Sequence, residues 1–232
     1  MPHTIIIIIC LLLFFIVGHV GQRRLEKAIA TYQDTTTTRG NNNSHHNILD
    51  IKVEWKPYII DPSINTSGEE FEAYNRKRWG SSGWTNHLKS EGSKDGATFQ
   101  NWKWWPNTMK SHCLVKFAKE RYGVESSLSN SVLFKALYEE GKNISLTDVL
   151  VQIGKDDLGL PENELRNYLV NEEGISEVKD VIRNGQRKYR ISGVPFFIIG
   201  KDGSNDPPFG ISGAQKSKTF VNIFEELSEE SE

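Results

Sequence analysis

Residues 192–200, SGVPFFIIG, decide the fold because they place a proline at the head of a short apolar run with glycines near both ends. Proline has no N–H for a sheet ladder, so within a sheet it is tolerated at the first residue of a strand, at an edge or at a bulge. Both alternating faces of Phe196–Ile199 are apolar, which is typical of a strand buried on both sides. The stretch therefore predicts a buried strand that begins directly after Pro195.

The residues after this strand predict a hairpin and a covering helix. Lys201, Asp202 and Gly203 form a turn signal, and residues 209–211 offer a short partner strand. Apolar residues then recur at the spacing of one helix face, which indicates an amphipathic helix packed on the hairpin; they are Phe220, Ile223, Phe224 and Leu227.

Length and composition bound the class of protein. The chain has 232 residues, 37% of them apolar and 25% charged, as expected for one large globular domain or a small domain that carries an insertion. A formal net charge of −2 argues against a nucleic-acid partner, which would need a concentrated basic face. The sequence has no Gly-rich phosphate loop, no zinc-finger spacing and no internal repeat. No metal site is predicted, because the adjacent His45 and His46 lack a second pair of ligands.

The two cysteines are Cys10 and Cys113, more than a hundred positions apart. The chain contains no Cys-x-x-Cys, and two cysteines cannot make a disulfide framework. Whether these two could pair depends on geometry that the sequence does not give.

Thirteen consecutive apolar residues, Ile5–Val17, leave two interpretations open near the N-terminus. The run is shorter than the roughly twenty residues of a membrane span and matches a signal-peptide core, although no Lys or Arg precedes it. The alternative is a buried first strand rich in β-branched residues. The strand hypothesis goes with a cytoplasmic protein and the signal hypothesis with a secreted or membrane-associated one.

The middle of the chain changes from one strand to a long series of helices. Clean alternation within residues 48–60 predicts a strand, whereas the Thr-, Asn- and His-rich residues 35–46 predict a loop that cannot bury a core. A helix start is predicted at Gly21, and further helices lie between residues 61 and 189. Trp102, Trp104 and Trp105 indicate either a stacking site for a ligand such as a carbohydrate or, more commonly, aromatic packing beneath a loop.

Three segments resemble one family. GVPFF at 193–197 followed by ISGAQ at 211–215, RRLEKA at 23–28, and LFKALYEEGKNI at 133–144 are similar to segments of DsbA-like proteins of the FrnE type, a family related to 2-hydroxychromene-2-carboxylate isomerases. The resemblance implies an α/β protein with a thioredoxin fold (βαβ…ββα) and a large α-helical insertion. It also implies a cis Val194–Pro195 bond that faces substrate.

The resemblance divides the chain into segments. Residues 1–20 are an apolar N-terminal segment, residues 21–60 and 190–228 form the thioredoxin-like domain, and residues 61–189 form the insertion.

The same resemblance locates a missing dithiol. In the family a strand ends in Cys-Pro-Trp-Cys before the RRLEKA helix, and counting back from Gly21 puts the two cysteine positions at Phe15 and Gly18. Neither residue can supply the attacking or the resolving thiolate of disulfide exchange. Either the protein is a relative without redox activity, or the sequence as given lacks the true catalytic segment. No catalytic residue is therefore assigned.

The helix predicted after Asn107 and Thr108 carries further candidates by resemblance. The segment matches the family pattern Asn-Thr-x-x-Ala-His-Arg-Leu, with His112 at the histidine and Cys113 in place of the arginine. Asn107 and His112 therefore join Val194 and Pro195 as substrate-facing candidates. His112 could tune a thiolate or bind an anion, or it could be a core histidine bonded to the backbone, which is favoured. Cys113 is expected to be a buried small hydrophobe.

Three functions remain open at this point. The chain could be a DsbA-like oxidoreductase without its catalytic segment, or a non-catalytic module that grips peptide or glutathione along Val194–Pro195. It could also be a glutathione-dependent isomerase, although no serine stands where that branch carries one, since Phe15 holds the position. The expected partners are a thiol or disulfide protein, a peptide or glutathione. No cofactor other than glutathione and no firm membrane partner is predicted.

Overall fold

The computed structural model describes residues 4–11, 16–40, 49–191 and 193–229. Its strands are β1 (Thr4–Leu11), β2 (Asp50–Pro57), β3 (Glu69–Glu70), β4 (Trp104–Trp105), β5 (Phe196–Lys201) and β6 (Phe209–Ser212). Its helices are α1 (Ile16–Gly40), α2 (Phe71–Trp79), α3 (Thr85–Lys94), α4 (Met109–Tyr122), α5 (Ser126–Phe134), α6 (Thr147–Leu158), α7 (Glu162–Val170), α8 (Ile175–Tyr189) and α9 (Ser217–Glu229). A π-type turn, Lys135–Glu139, continues α5.

The four longer strands form one mixed sheet in the order β2-β1-β5-β6. Strand β1 runs parallel to β2 and antiparallel to β5, so that Ile7 lies between Val53 and Ile199. The interpretation of residues 5–11 as a buried strand therefore holds for the described part of the apolar run. Ile5, Ile7 and Ile9 are fully buried on one face of β1, which explains the β-branched composition there.

Helices α1 and α9 pack together against the β5–β6 side of the sheet. The Tyr32 and Phe224 rings lie 5.7 Å apart, and Phe220 of α9 packs edge-on against Phe197 of β5 at 4.9 Å. The predicted strand after Pro195, its partner strand and the final amphipathic helix are thus confirmed. The fold is the expected α/β thioredoxin-like arrangement, with α2–α8 between β2 and β5 as the helical insertion.

Helix α1 differs from the prediction at both ends. It begins at Ile16 instead of Gly21, so the predicted boundary at residue 20 falls inside a helix. The predicted loop at 35–46 is wrong for residues 35–40, which are the last turns of α1. Thr35 and Thr36 donate their hydroxyls to carbonyls of the preceding turn, an option that composition alone does not reveal. Residues 41–48, including the His45–His46 pair, lie outside the described residues.

Within the described parts of the chain, no helix is both long and apolar enough to span a bilayer.

Candidate functional site

The loop before β5 contains a largely buried residue, Val194, whose backbone groups form no hydrogen bonds among the described residues. The Val194–Pro195 peptide bond is cis, and the Pro195 carbonyl accepts a 2.8 Å hydrogen bond from the Gly213 N–H. Neither the N–H nor the C=O of Val194 forms a hydrogen bond with any residue that the structure describes. A polypeptide backbone in extended conformation could therefore pair with Val194 by adding a strand.

The start of α1 lies directly against this loop. A Cβ atom added to Gly21 would lie 3.0 Å from Pro195 Cγ and 3.3 Å from Phe197 Cζ, so a larger residue would require these side chains to shift. Gly18 is buried one helical turn earlier. The position of the second family cysteine is thus one turn from the Pro195 contact. The other position, Phe15, lies outside the described residues.

The described thiol of Cys113 does not replace the missing pair at this place. Cys10 belongs to β1, where its backbone lies between Lys56 of β2 and Phe196 of β5. Cys113 is buried in α4 and free, and burial, followed by the charge of Glu177, raises the pKa of its thiol to about 12. A thiol with that pKa is protonated at neutral pH and is not a nucleophile. Cys113 is therefore the buried small hydrophobe that the sequence predicted.

His19 was not singled out by the sequence, although it follows Gly18 directly. Its ring packs against Phe134 at 4.9 Å and against Tyr138 and Phe99 at 5.8 Å, and only 2% of the residue is exposed. Neither ring nitrogen has a hydrogen-bond partner within the described part of the chain. Burial, and then the charge of Arg23, lower the pKa of His19 to about 3. The one sequence feature that could have pointed to His19 is its position directly after an apolar run, which indicates a buried histidine.

His112 is connected to the Pro195 loop through one residue. Its Nε2 lies 3.2 Å from the Tyr58 carbonyl, and the Tyr58 hydroxyl donates to the Ile191 carbonyl at 3.1 Å. A carbonyl only accepts, so Nε2 carries the proton and Nδ1 is left as an acceptor. Burial lowers the pKa of His112 to about 4, which keeps the ring neutral at pH 7. This is the arrangement of a core histidine bonded to the backbone.

Asn107 uses both polar atoms of its side chain inside the insertion. Nδ2 donates to the Ile64 carbonyl at 2.9 Å, and Oδ1 accepts the Met109 N–H at 3.2 Å at the start of α4. The Asn107 N–H donates to Ser145 Oγ. These bonds hold three segments of the insertion together, and no hydrogen bond in the described structure joins Asn107 or His112 to Val194 or Pro195.

Arg24, from the RRLEKA segment, connects α1 to two other parts of the protein. Its Nε donates to Asp95 Oδ2 at 2.7 Å beyond the end of α3, and its Nη1 donates to the Ala214 carbonyl at 2.6 Å between β6 and α9. Both side chains of the ion pair are only 17% exposed. The segment that marks the family in the sequence is therefore also a structural junction.

The tryptophan-rich stretch forms part of the core. Trp102 and Trp105 are buried, and their rings pack in a continuous aromatic group with Phe71 and Tyr74. The Tyr74 and Trp105 rings are stacked with centroids 4.5 Å apart. This is the aromatic packing that was the commoner alternative, and it leaves these two rings without a free face for a ligand.

No group of three or more metal-ligating side chains occurs in the ranges that the structure describes. The features described near Pro195 are the Val194 backbone without hydrogen bonds and, one turn before the Gly21 contact, a glycine at one thiol position.

Comparison with known proteins gives the family but no nearby relative of established activity. The family model of the DSBA-like thioredoxin domain matches residues 18–225. No curated protein matches the sequence.

Solved structures with the same fold are distant in sequence. A probable DsbA oxidoreductase from Streptomyces coelicolor is 19% identical with a TM-score of 0.79, covering 98% of this chain and 92% of its own. A 2-hydroxychromene-2-carboxylate isomerase is 11% identical with a TM-score of 0.66, covering 97% of both chains. The cytosolic disulfide reductase DsbM from Pseudomonas aeruginosa, solved with GSH, is 13% identical with a TM-score of 0.54, covering 96% of this chain and 98% of its own.

The segments that resembled DsbA-like proteins, the sheet order, the helical insertion and the matched range all agree, and the chain belongs to the DSBA-like thioredoxin domain family.

Proposed function

We propose that this protein is a non-catalytic thioredoxin-fold binding module, which holds an extended peptide or glutathione along Val194–Pro195 without exchanging disulfides. The observation that carries the proposal is the Val194 backbone without hydrogen bonds, beside a helix that has Gly18, a residue without a thiol, one turn before its contact with Pro195. Disulfide exchange needs a thiolate within reach of the bound sulfur. Main-chain pairing with an added strand needs only the N–H and C=O of Val194.

Glutathione is one candidate ligand, because it is a short extended peptide and because the related-fold protein DsbM has been solved with GSH. An unfolded polypeptide is the other, since main-chain pairing does not depend on side-chain identity. Neither requires a titratable group beside Pro195.

The first experiment tests for exchange. The chain should show no insulin reduction with glutathione or dithiothreitol as reductant above the rate of a Cys10→Ala, Cys113→Ala double variant. Turnover that the double variant abolishes would contradict the proposal and favour a redox mechanism through one of these two thiols.

The second experiment tests binding at Val194. Calorimetric titration with reduced glutathione and with an unstructured peptide should show binding of at least one of them. Val194→Pro removes the amide N–H, and loss of that hydrogen bond should weaken binding about tenfold. Val194→Ile keeps the N–H and should bind as the unchanged chain does.

Thermal melting establishes that both variants are folded. Equal affinity of the proline variant, or no binding of either ligand to the unchanged chain, would contradict the proposal.

An isomerase acting on glutathione-linked substrates would need a further polar group beside Pro195, and the described residues there offer none with an exposed nucleophile. This alternative would be supported if the chain isomerised a substrate in the presence of glutathione while failing to reduce insulin.

A further inference from the structure

A cavity of about 360 Å³ lies between the end of β2 and helices α4, α5 and α8. Its volume is at the lower end of the range for small-molecule sites in proteins. None of its lining residues belongs to the Val194–Pro195 loop or to α1. It is therefore separate from the site proposed above.

The inner wall of the cavity carries buried polar side chains that lack hydrogen-bond partners among the described residues. Ser126 and Asn130 of α5 are 5% and 3% exposed, and neither side chain forms a hydrogen bond within the described part of the chain. His112 of α4 lines the same wall with Nε2 committed to the Tyr58 carbonyl, which leaves Nδ1 as an acceptor. Buried polar groups are normally hydrogen-bonded, so such a group facing a cavity indicates a ligand or water.

The side walls of the cavity are apolar. The Trp55 indole lies on one side, held by a 2.7 Å hydrogen bond from its Nε1 to Ser127 Oγ. Val178 and Val181 of α8 lie among the lining residues, the first buried and the second 39% exposed. This combination suits a flat or branched apolar body with a polar group at its inner end.

The mouth of the cavity has one unpaired charge of each sign. Lys56 is paired with Glu54 at 2.9 Å, and Lys116 is paired with Glu120. Lys119 of α4 and Glu177 of α8 also line the cavity, both are exposed, and neither forms a salt bridge within the described residues. The charge of Lys119 also acts on Glu54, whose pKa it helps to lower after the larger effect of Lys56. An ammonium and a carboxylate that face one cavity without reaching each other are complementary to a zwitterion.

We propose that this cavity binds a free amino acid with an aromatic side chain that ends in a hydroxyl, a tyrosine-like zwitterion. Its carboxylate would lie at Lys119 and its ammonium group at Glu177. Its ring would pack between Trp55 and the α8 valines. Its hydroxyl would donate to His112 Nδ1 and accept from the Asn130 amide. No covalent chemistry is involved.

Four probes with matched polar groups test this assignment by ligand-observed NMR titration of the full chain. L-Tyrosine carries every predicted contact, and L-phenylalanine lacks the hydroxyl. Tyramine keeps only the ammonium, and 3-(4-hydroxyphenyl)propanoate keeps only the carboxylate. L-Tyrosine should bind, and each of the other three should bind at least fivefold more weakly.

Variants at the mouth separate the two charges. Lys119→Ala should weaken L-tyrosine and 3-(4-hydroxyphenyl)propanoate roughly fivefold but leave tyramine unchanged. Glu177→Gln should weaken L-tyrosine and tyramine by a similar factor but leave the propanoate unchanged. Lys179→Ala, an exposed lysine of α8 that does not line the cavity, is the matched control and should change nothing.

Two further variants keep the test independent of folding. Asn130→Leu should abolish the preference for tyrosine over phenylalanine. Val181→Trp fills the cavity from its partly exposed side and should eliminate binding while the melting temperature stays close to that of the unchanged chain.

Absence of L-tyrosine binding to the unchanged chain would overturn the proposal, as would equal loss of binding in Lys179→Ala. Displacement of L-tyrosine by glutathione would also overturn it, because one shared site would then replace two.

Discussion

The first turns of α1 and of α4 both bury a histidine, yet the two sites are built in different ways. His112 in α4 donates to the Tyr58 carbonyl and borders a cavity, whereas His19 in α1 has two ring nitrogens without partners inside an aromatic enclosure. At the α4 site, one ring nitrogen of His112 is bonded to a backbone carbonyl just after β2. The α1 site has a thioredoxin-like backbone against Pro195 and carries Gly18 at one of the positions where the family resemblance expects a cysteine, so a family-like backbone is combined here with different side chains.

The largest expected effect tests the close approach of α1 to the Pro195 loop. Gly21→Leu puts a side chain where a Cβ alone would lie 3.0 Å from Pro195 Cγ, and we expect it to lower the free energy of unfolding by about 3 kcal/mol. Gly185→Leu in α8, where a Cβ would meet nothing within 4 Å, is the matched control and should not destabilise. Equal loss in both variants, measured by urea denaturation, would contradict the contact.

Next in size is the removal of the unpartnered imidazole. His19→Phe should raise the free energy of unfolding by about 2 kcal/mol at pH 5, because it replaces two buried, unbonded nitrogens by an apolar ring in an aromatic enclosure. A Phe variant no more stable than the unchanged chain would show that the ring nitrogens are satisfied.

The same variant has a pH signature. The pKa of His19 is lowered in the folded state to about 3 from an ordinary value of 6.5, so between these pH values the unfolded state binds more protons. Stability must then fall as pH falls from 6.5 towards 3. The Phe variant should lose part of this slope in unfolding measurements between pH 7 and pH 4, and an unchanged slope would contradict the burial of a neutral His19.

In contrast to His19→Phe, the substitution His112→Phe is expected to lower the free energy of unfolding. This change leaves the Tyr58 carbonyl without its donor in a buried position, and we expect a loss of about 2 kcal/mol by urea denaturation at pH 7. If both histidine variants changed stability in the same direction, the contrast between the α1 and α4 sites would be wrong.

The smallest effect concerns the connection between the insertion and the Pro195 loop. Tyr58→Phe removes the hydrogen bond to the Ile191 carbonyl and should cost about 1 kcal/mol. It should also increase amide hydrogen exchange at Gly213, whose N–H is bonded to the Pro195 carbonyl, without affecting α6. Tyr122→Phe, which removes only an exposed hydroxyl bond to Glu164, provides the control.

The sequence was most informative where local pattern and fold agree. Pro195 before an apolar run, and the spacing of Phe220 and Phe224, predicted the hairpin and its helix because strand and helix periodicities are local properties. The start of α1 could not be predicted in this way, since Gly18 and Gly21 look like helix breakers. Glycine is favoured at position 21 of this helix because a Cβ atom there would be in tight contact with Pro195, some 170 residues later.

The candidate site could be predicted only in part, because its contacts join residues that are distant in sequence. Family resemblance predicted Val194 and Pro195 as substrate-facing residues, and Pro195 lies against Gly21 near the start of α1. Whether His19 or His112 finds a partner depends on residues far away in sequence. Tyr58 satisfies His112, and Phe134 and Tyr138 surround His19 without offering an acceptor. The sequence pattern of α1 or of α4 alone therefore cannot predict these contacts.

The two hydrogen bonds of Arg24 connect the helical insertion to the thioredoxin-like domain, so the insertion cannot be removed without losing contacts of that domain. Replacing residues 61–189 by a short linker would delete Asp95, leaving the Arg24 guanidinium, which is only 17% exposed, with the Ala214 carbonyl alone. Strand β2 would lose its packing contacts with α8 and α5 at the same time. Trimming this protein to four strands and two helices would therefore remove the ion-pair partner of a largely buried arginine and two of the surfaces packed on β2, so we expect the trimmed chain to be less stable.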